Sequence, residues 1–274
     1  MLMGMSGALF YYYYVCPTYE KWVNKSNPNF PPPEKVRSEI ITMCKGLLSA
    51  TFCPSVALYL SQHGLSQAYC GSSDGKNTYT TGYHIFSFLL IWIGVDLWEF
   101  WYHRLGHTTA YFWKLHKPHH TFFNPSPFAV IADEWVDQFA RALPLLVFPI
   151  VMPMNMDLIF FEFAAFFYLY GVYLHWGYEF TWLDAHNPYI NTAFQHYCHH
   201  AVSIAFKPYH TGFFFKIWDK LAGSLYDKDC FCAKCEREAG KRSFEDWKKL
   251  EKPDYSVLLQ PKFWLNPPPS QKMD

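Results

Sequence analysis

Nine histidines with short spacings are the residues of this sequence best suited to chemistry. Offsets of three and four residues place side chains on one face of a helix, one turn apart, which is a chelating spacing. Burying so many imidazoles costs free energy unless something binds them, so the pattern predicts a metal centre rather than nine core histidines. The candidate ligands stand in HRLGH, HKPHH, a lone position before WGYEF, and HYCHH: His103, His107, His116, His119, His120, His175, His196, His199 and His200.

The number of imidazoles predicts two metal ions. Zinc, copper, iron and nickel all accept imidazole, and one tetrahedral zinc uses at most four ligands. The sequence has no H-E-x-x-H, which weakens a zinc peptidase interpretation. Carboxylates that orient the imidazoles or offset the metal charge are predicted at Asp96 and Glu99, which precede His103 on the same helix, and at Glu179, four residues after His175.

Four apolar runs predict the elements that position these histidines. A bilayer core of about 30 Å needs roughly 20 helical residues, so the second and fourth runs fit a span and the first is marginal. The third is short, and its prolines predict a tilted, kinked or re-entrant segment. The predicted fold is all-α: a multi-pass membrane protein with about four segments in two hairpins, the alternative being a soluble protein with buried helices. The runs cover residues 45–62, 83–102, 141–153 and 156–174.

Two hairpins would place every histidine motif on one side of the membrane. Only the loop 63–82 would lie opposite, and it holds a single basic residue, Lys76. The positive-inside bias therefore predicts that the histidine-rich side faces the cytosol. The predicted organisation is a cytosolic N-terminal lead-in (1–44), a membrane and metal-binding domain (45–228) and a cytosolic C-terminal tail (229–274).

Composition excludes some classes of partner and leaves one motif unassigned. The 23 basic and 23 acidic residues balance, so no nucleic-acid partner is expected. Eight irregularly spaced cysteines predict no disulfide framework, and the first residues, which carry no basic n-region or cleavage pattern, predict no removed signal peptide. CFCAKC (230–235) fits either a small metal knuckle or packing thiols, since no fourth ligand is obvious nearby. Three remaining histidines fit no cluster and are predicted to be structural or surface residues: His63, His84 and His210.

The ordered histidine motifs, followed by FFFKIWDKLAGSLYD (213–227), resemble the sterol desaturase and fatty acid hydroxylase superfamily of endoplasmic-reticulum membrane proteins. HWGYEF is similar to the sterol 4-methyl oxidase and sterol 25-hydroxylase branches, and NPSPFAVIADEWVD (124–137) to the sterol C5-desaturase branch. The resemblance implies a non-haem diiron centre held by the nine histidines, O2 as oxidant, and electrons from NAD(P)H through a cytochrome b5-type donor and its reductase. Several members carry a second histidine where this chain has Glu179, so Glu179 and His186 are candidates for an additional ligand.

The predicted function is oxidation of an unactivated C–H bond of a membrane lipid, most consistent with a sterol, by hydroxylation or desaturation. No dinucleotide, flavin or haem motif is present, so the electron donor is expected to be another protein, received by basic residues such as Lys114, Lys117 and Lys207. Fatty acyl or sphingoid-base hydroxylation is the alternative within this class. A membrane zinc hydrolase with Glu179 or Glu99 as base, and a catalytically silent lipid-binding protein, are the alternatives outside it.

Overall fold

The computed structural model describes residues 1–203 and 205–265, and it confirms the predicted helical class. The only strands in this part of the chain are two residues long. The helices are α1 Leu2–Phe10, α2 Tyr19–Trp22, α3 Pro33–Ala50, α4 Phe52–Gln62, α5 Thr81–Thr108, α6 Ala110–His116, α7 Trp135–Val151, α8 Met156–Phe161, α9 Leu169–His175, α10 Ala193–Val202, α11 Ile217–Ala222, α12 Ala233–Glu238, α13 Phe244–Lys249 and α14 Pro261–Leu265, and the strands are β1 Ala68–Tyr69 and β2 Met154–Asn155. Short 3-10 helices cover His119–Thr121, Pro127–Ile131 and Tyr255–Leu259, and π-helical turns cover Tyr11–Val15 and Glu162–Tyr168.

Three helical stretches are long and apolar enough to cross a membrane: Pro33–Gln62, Thr81–Thr108 and Met156–His175. They contain the first, second and fourth predicted segments. The third predicted segment lies in α7, whose 17 residues span only about 25 Å and include Pro144 and Pro149. That length falls short of the hydrocarbon core, because each helical residue advances only about 1.5 Å.

The four rods formed by α3–α4, α5, α7 and α8–α9 share one end. There β1 pairs with β2 in parallel, with Ala68 opposite Met154. The amide of Gln67 also donates to the Pro149 carbonyl at 2.7 Å, and the Tyr83 hydroxyl donates to the Pro153 carbonyl at 2.7 Å. This end therefore joins the loop after α4 to the turn after α7, as two antiparallel hairpins require, and the opposite end carries the histidine motifs.

The first rod begins earlier than the apolar run suggests. Pro33 occupies the first turn of α3, where its missing N–H costs nothing and its fixed φ favours the helix. The predicted division between residues 44 and 45 thus lies inside α3. At Gly46 this helix meets the 3-10 turn Pro127–Ile131 so closely that a Cβ would overlap the Ile131 carbonyl oxygen.

The predicted lead-in and tail both pack against the rest of the chain. Tyr14 is buried, and its hydroxyl donates to the carbonyl of Trp176 at 2.8 Å, directly after α9. From the other terminus, Tyr255 donates to the carbonyl of Pro31 at 2.7 Å, and the buried Arg242 donates to the carbonyl of Lys25 at 2.8 Å. Both segments therefore help to support the helices that carry the histidines. Residues 266–274 of the predicted tail lie outside the described residues.

Candidate metal centre

Five elements bring the nine histidines to one end of the helical rods. His103 and His107 lie in the last turns of α5, and α6 folds back against them. Gly106 permits this return, because a Cβ there would lie 3.1 Å from Cγ of His116. The other seven histidines lie on α6, the following 3-10 turn, the last residue of α9, and α10: His116, His119, His120, His175, His196, His199 and His200.

The imidazoles divide into two groups, and in each group one ring nitrogen per residue lies within 4.8 Å of all the others. All nine rings are buried except that of His120, which is partly buried. The rings of His120 and His200, one from each group, have centroids 4.9 Å apart, so the groups are adjacent. The five-histidine group is His103, His107, His116, His120 and His199, and the four-histidine group is His119, His175, His196 and His200.

Hydrogen bonds fix the tautomers of several rings. Nδ1 of His103 faces the Thr211 carbonyl at 3.0 Å, that of His175 the Gly171 carbonyl at 2.7 Å, and that of His199 the Tyr209 carbonyl at 2.6 Å. A carbonyl oxygen only accepts, so each Nδ1 must carry the proton. Each Nε2 consequently presents a lone pair to the interior of its group.

A buried carboxylate does the same for the ring of His116, whereas Nδ1 of His119 donates to the Ala132 carbonyl at 3.4 Å and lies beside a second buried carboxylate. Nδ1 of His116 lies 3.0 Å from Oδ2 of Asp137, and Nδ1 of His119 lies 3.0 Å from Oδ1 of Asp133. A carboxylate that holds the outer nitrogen of a histidine is the usual partner of a metal-bound imidazole, because it fixes the ring and raises its basicity. Arg141 lies behind them, with its Nε 3.9 Å from Asp137 Oδ2.

The converging lone pairs fit a bound cation. Nε2 of His119 and Nε2 of His175 face each other at 3.4 Å, although both are acceptors, and Nε2 of the buried His103 has no hydrogen-bond partner among the described residues. Burial lowers the pKa of His196 and of His199 well below the ordinary histidine value, which keeps these rings neutral. Neutral imidazoles in this number and at these separations fit two transition-metal ions side by side.

The three carboxylates predicted from the sequence lie elsewhere. Asp96 accepts from the Phe214 amide at 2.7 Å and the Trp218 indole at 2.7 Å, so it holds the chain after the last motif. Glu99 pairs with Arg141 at 2.8 Å and reaches the histidines only through it. Glu179 accepts from the amide of Ala233 at 3.0 Å. The residues that sequence reasoning missed, Asp133 and Asp137, stand four apart within NPSPFAVIADEWVD, and that spacing was the available signal.

Neither candidate for an additional ligand belongs to the two histidine groups. Glu179 is held at α12, and His186 lies against three cysteines, with its Nε2 3.5 Å from Sγ of Cys235. The unclustered histidines have the expected settings: His63 is exposed and His84 partly buried. His210 is buried, and its Nε2 accepts from the Tyr226 amide at 3.3 Å.

A cavity of about 710 Å³ lies between α3–α4, the start of α7 and the segment after α6. Leu48, Phe52 and Phe139 are among its apolar lining residues, and Asp133, whose Oδ1 lies 3.0 Å from Nδ1 of His119, also lines it. The volume lies in the range of pockets that enclose small organic ligands. The cavity therefore borders α3–α4, one of the stretches able to span a membrane, and is lined by a neighbour of the four-histidine group, Asp133.

Comparison with known proteins places the same region in a described family. The fatty acid hydroxylase family model matches residues 88–224, half of the chain. A probable Delta(7)-sterol 5(6)-desaturase of Neurospora crassa is 28% identical over 251 residues, covering 91% of this chain and 69% of that protein. The lathosterol oxidase of Mus musculus is 29% identical over 199 residues, covering 72% and 63% respectively. A Delta(7)-sterol 5(6)-desaturase of Gibberella zeae is 30% identical over 221 residues, covering 80% and 59%. No solved structure matches.

Proposed function

The chain belongs to the fatty acid hydroxylase family, and on this premise we propose that it is a membrane-bound, O2-dependent oxidoreductase that desaturates a sterol at a histidine-held diiron centre. The observation that carries the proposal is the convergence of neutral imidazole nitrogens in two adjacent buried groups. The relatives' names, Delta(7)-sterol 5(6)-desaturase and lathosterol oxidase, supply the substrate class. These relatives are longer than the matched region, so the activity of the whole protein is part of the proposal.

The roles of the chain's own residues follow from the geometry. Two ferrous ions held by the two histidine groups would supply the activation of O2 that attack on an unactivated C–H bond requires. Asp137 keeps the Nδ1 proton of His116 in place, and the Ala132 carbonyl, with Asp133 beside it, does so for His119, so that both Nε2 lone pairs stay directed inward. The cavity that Asp133 lines would hold an apolar molecule near the four-histidine group, against Leu48, Phe52 and Phe139.

The overall reaction requires a reductant. A desaturation removes two hydrogens from neighbouring sterol carbons, and O2 becomes two molecules of water when a donor adds two electrons and two protons. The sequence carries no dinucleotide or flavin motif, so a cytochrome b5-type protein reduced from NAD(P)H is the proposed donor. Lys114, Lys117 and Lys207 are exposed near the histidine end, where an acidic carrier would dock. The amide of Phe206, next to Lys207, donates to the His107 carbonyl at 2.7 Å.

The proposed location is the endoplasmic reticulum membrane, with the histidine end toward the cytosol. The loop 63–82 at the opposite end contains one basic residue, which supports this orientation. A reducing cytosol would also keep the cysteines as thiols, and all eight lie within the described part of the chain and are unpaired there.

The structure gives less support to the other functions considered. A zinc hydrolase needs a free carboxylate beside the metals, but Glu99 is paired with Arg141 and Glu179 accepts from a backbone amide. A fatty acyl or sphingoid hydroxylase would use the same centre. Substrate specificity therefore has to be measured directly.

Metal content and product formation test the proposal together. Protein purified in detergent and reconstituted with a b5-type donor and its reductase is offered a Delta(7)-sterol and a fatty acyl mixture under air or argon. We expect about two irons per chain and an O2-dependent sterol with one more double bond. His196→Ala should lose iron and activity, whereas His63→Ala, at an exposed histidine, should keep both. A hydroxylated acyl product without any sterol product would show that the substrate is an acyl lipid and not a sterol. O2-independent turnover by a zinc-loaded protein would refute the proposed oxidase activity.

A further inference from the structure

A second group of metal-ligating side chains lies apart from the nine histidines. It consists of Cys230, Cys232 and Cys235 of the CFCAKC motif together with His186, and one ligand atom of each lies within 4.8 Å of the others. We propose that these four residues bind a structural zinc ion. No fourth ligand stands near CFCAKC in the sequence, and the fold brings His186 to it from the loop before α10. The three cysteines lie beyond residue 224, where the match to the family ends, and the proposed oxidation uses none of the four residues.

The donor set is the first reason for zinc. Three thiolates and one imidazole form a Cys3His site, a common tetrahedral set of structural zinc, and soft sulfur ligands disfavour magnesium and calcium. Cys232 is fully buried, and Cys230 and Cys235 are partly buried. The turn that opens α12 brings the amide of Cys235 to 3.5 Å from Sγ of Cys232, so this sulfur already accepts a backbone hydrogen bond.

The setting of His186 is the second reason. Its Nδ1 lies 2.9 Å from Oδ1 of Asp184, which leaves the Nε2 lone pair directed at the cysteines, 3.5 Å from Sγ of Cys235. In many zinc sites a carboxylate accepts from one ring nitrogen of a histidine whose other nitrogen binds the metal, because the carboxylate fixes the tautomer. Lys234, between the cysteines in sequence, holds the other oxygen of Asp184 at 2.6 Å.

The loop that presents His186 is held from behind. The Ala185 carbonyl accepts from the Gln195 side chain at 2.8 Å and from Nζ of the buried Lys216 at 3.0 Å. Nζ of Lys216 also donates to the Asn187 carbonyl at 2.6 Å. Gln195 belongs to the capping box that begins α10, so the candidate ligand is anchored to the helix that carries three histidines of the metal centre.

The position of the cysteines gives the zinc a structural role. Cys232 packs with Phe194 and Cys198 in a buried apolar cluster on α10, behind its histidines. Zinc would replace the protons of three thiols, releasing three protons, and would join the segment after residue 229 to the loop before α10. The C-terminal segment would then brace α10 from the outside.

Metal analysis of full-length protein in detergent tests the proposal. We expect about one sulfur-bound zinc per chain, with X-ray absorption showing Zn–S distances of about 2.3 Å and a Zn–N distance of about 2.0 Å. Cobalt substitution should add a sulfur-to-metal charge-transfer band. Cys230→Ser and His186→Ala should lose this zinc, whereas Cys44→Ser, at an exposed cysteine on α3, should keep it. His186→Cys should keep it as well, because four cysteines also bind zinc.

The same measurements separate this site from the histidine centre. His196→Ala should reduce iron and leave the sulfur-bound zinc in place, so failure of the oxidase proposal leaves this one standing. Absence of sulfur neighbours around zinc in the wild-type protein would overturn the proposal even if every variant failed to fold. Zinc content unchanged in His186→Ala and Cys230→Ser, or a disulfide within CFCAKC in protein kept under reducing conditions, would overturn it too.

Discussion

Asp137 offers the sharpest test of how the chain holds its metals. Its Oδ2 lies 3.0 Å from Nδ1 of His116, and both side chains are nearly inaccessible, at 2% and 1% exposure. Asp137→Asn keeps the volume and one acceptor oxygen but removes the charge. Asp137→Ala removes the hydrogen bond altogether, which frees the His116 ring to rotate or change tautomer.

The size of the effect follows from this contact. A buried hydrogen bond to a charged group contributes about 1.5–3 kcal/mol, which corresponds to a factor of about 10 to 150 in an equilibrium constant. Loss of the carboxylate behind a metal-bound histidine typically weakens metal binding about 10- to 100-fold, in agreement. We expect Asp137→Asn near the lower end, about 10-fold weaker iron binding, and Asp137→Ala near about 100-fold.

Chelator competition on purified protein measures this directly, as the iron retained per chain against rising concentrations of a ferrous chelator. Glu162→Gln is the matched control, since Glu162 is a fully buried carboxylate that makes no hydrogen bond or ion pair to a histidine within the described residues. The control should titrate like the wild type. Wild-type iron retention in Asp137→Ala, or equal weakening in Glu162→Gln, would refute the assigned role of Asp137.

Three further predictions concern packing, pH and the cavity. Gly46→Ala should destabilise the protein by about 1–3 kcal/mol in thermal unfolding, because the new Cβ overlaps the Ile131 carbonyl. Gly82→Ala, where the nearest atom to a new Cβ lies at 3.7 Å, should leave the stability unchanged. Equal melting temperatures of the two variants would contradict the close approach at Gly46. Burial raises the pKa of Glu179 from 4.5 to about 7, so the folded state binds this proton more tightly than the unfolded chain, and the resulting stability, present below pH 4.5, is lost as the pH rises through 7. Glu179→Gln should therefore lose less thermal stability between pH 5 and pH 8 than the wild type, by up to about 3 kcal/mol, and parallel pH profiles would contradict the shift. Thr42→Trp should fill part of the cavity and reduce sterol turnover at least about 10-fold while the iron content stays unchanged; unaltered turnover would exclude the cavity as the substrate site.

Most residues of the candidate metal centre could be predicted, because their spacings are short enough to be recognised in the sequence. The spacing between His103 and His107 and that within HYCHH is set by the helical repeat, so the nine histidines could be selected, and the family resemblance they carry is confirmed. Long apolar runs likewise predicted the helical class and the stretches able to span a membrane. The start of α3 at Pro33 was missed because apolarity marks the buried length of a helix rather than its first residue.

The partners of those residues were decided by tertiary structure. Asp96 and Glu99 share a helix with His103, yet Asp96 accepts from the Phe214 amide and Glu99 pairs with Arg141. The element that packs against each turn of the helix determines the partners of its side chains. Asp137 contacts His116 only because the first turn of α7 packs against α6.

The sequence by itself determined which residues are candidate ligands by type and which lie on one helical face, since side-chain chemistry and the helical repeat act within a few residues. Only the tertiary structure decided that Asp137 holds the His116 ring, that Asp133 lines a cavity beside α3–α4, and that His186 lies against the cysteines of CFCAKC. These contacts join residues far apart in the chain, and packing between helices, rather than any local spacing, brings them within bonding distance.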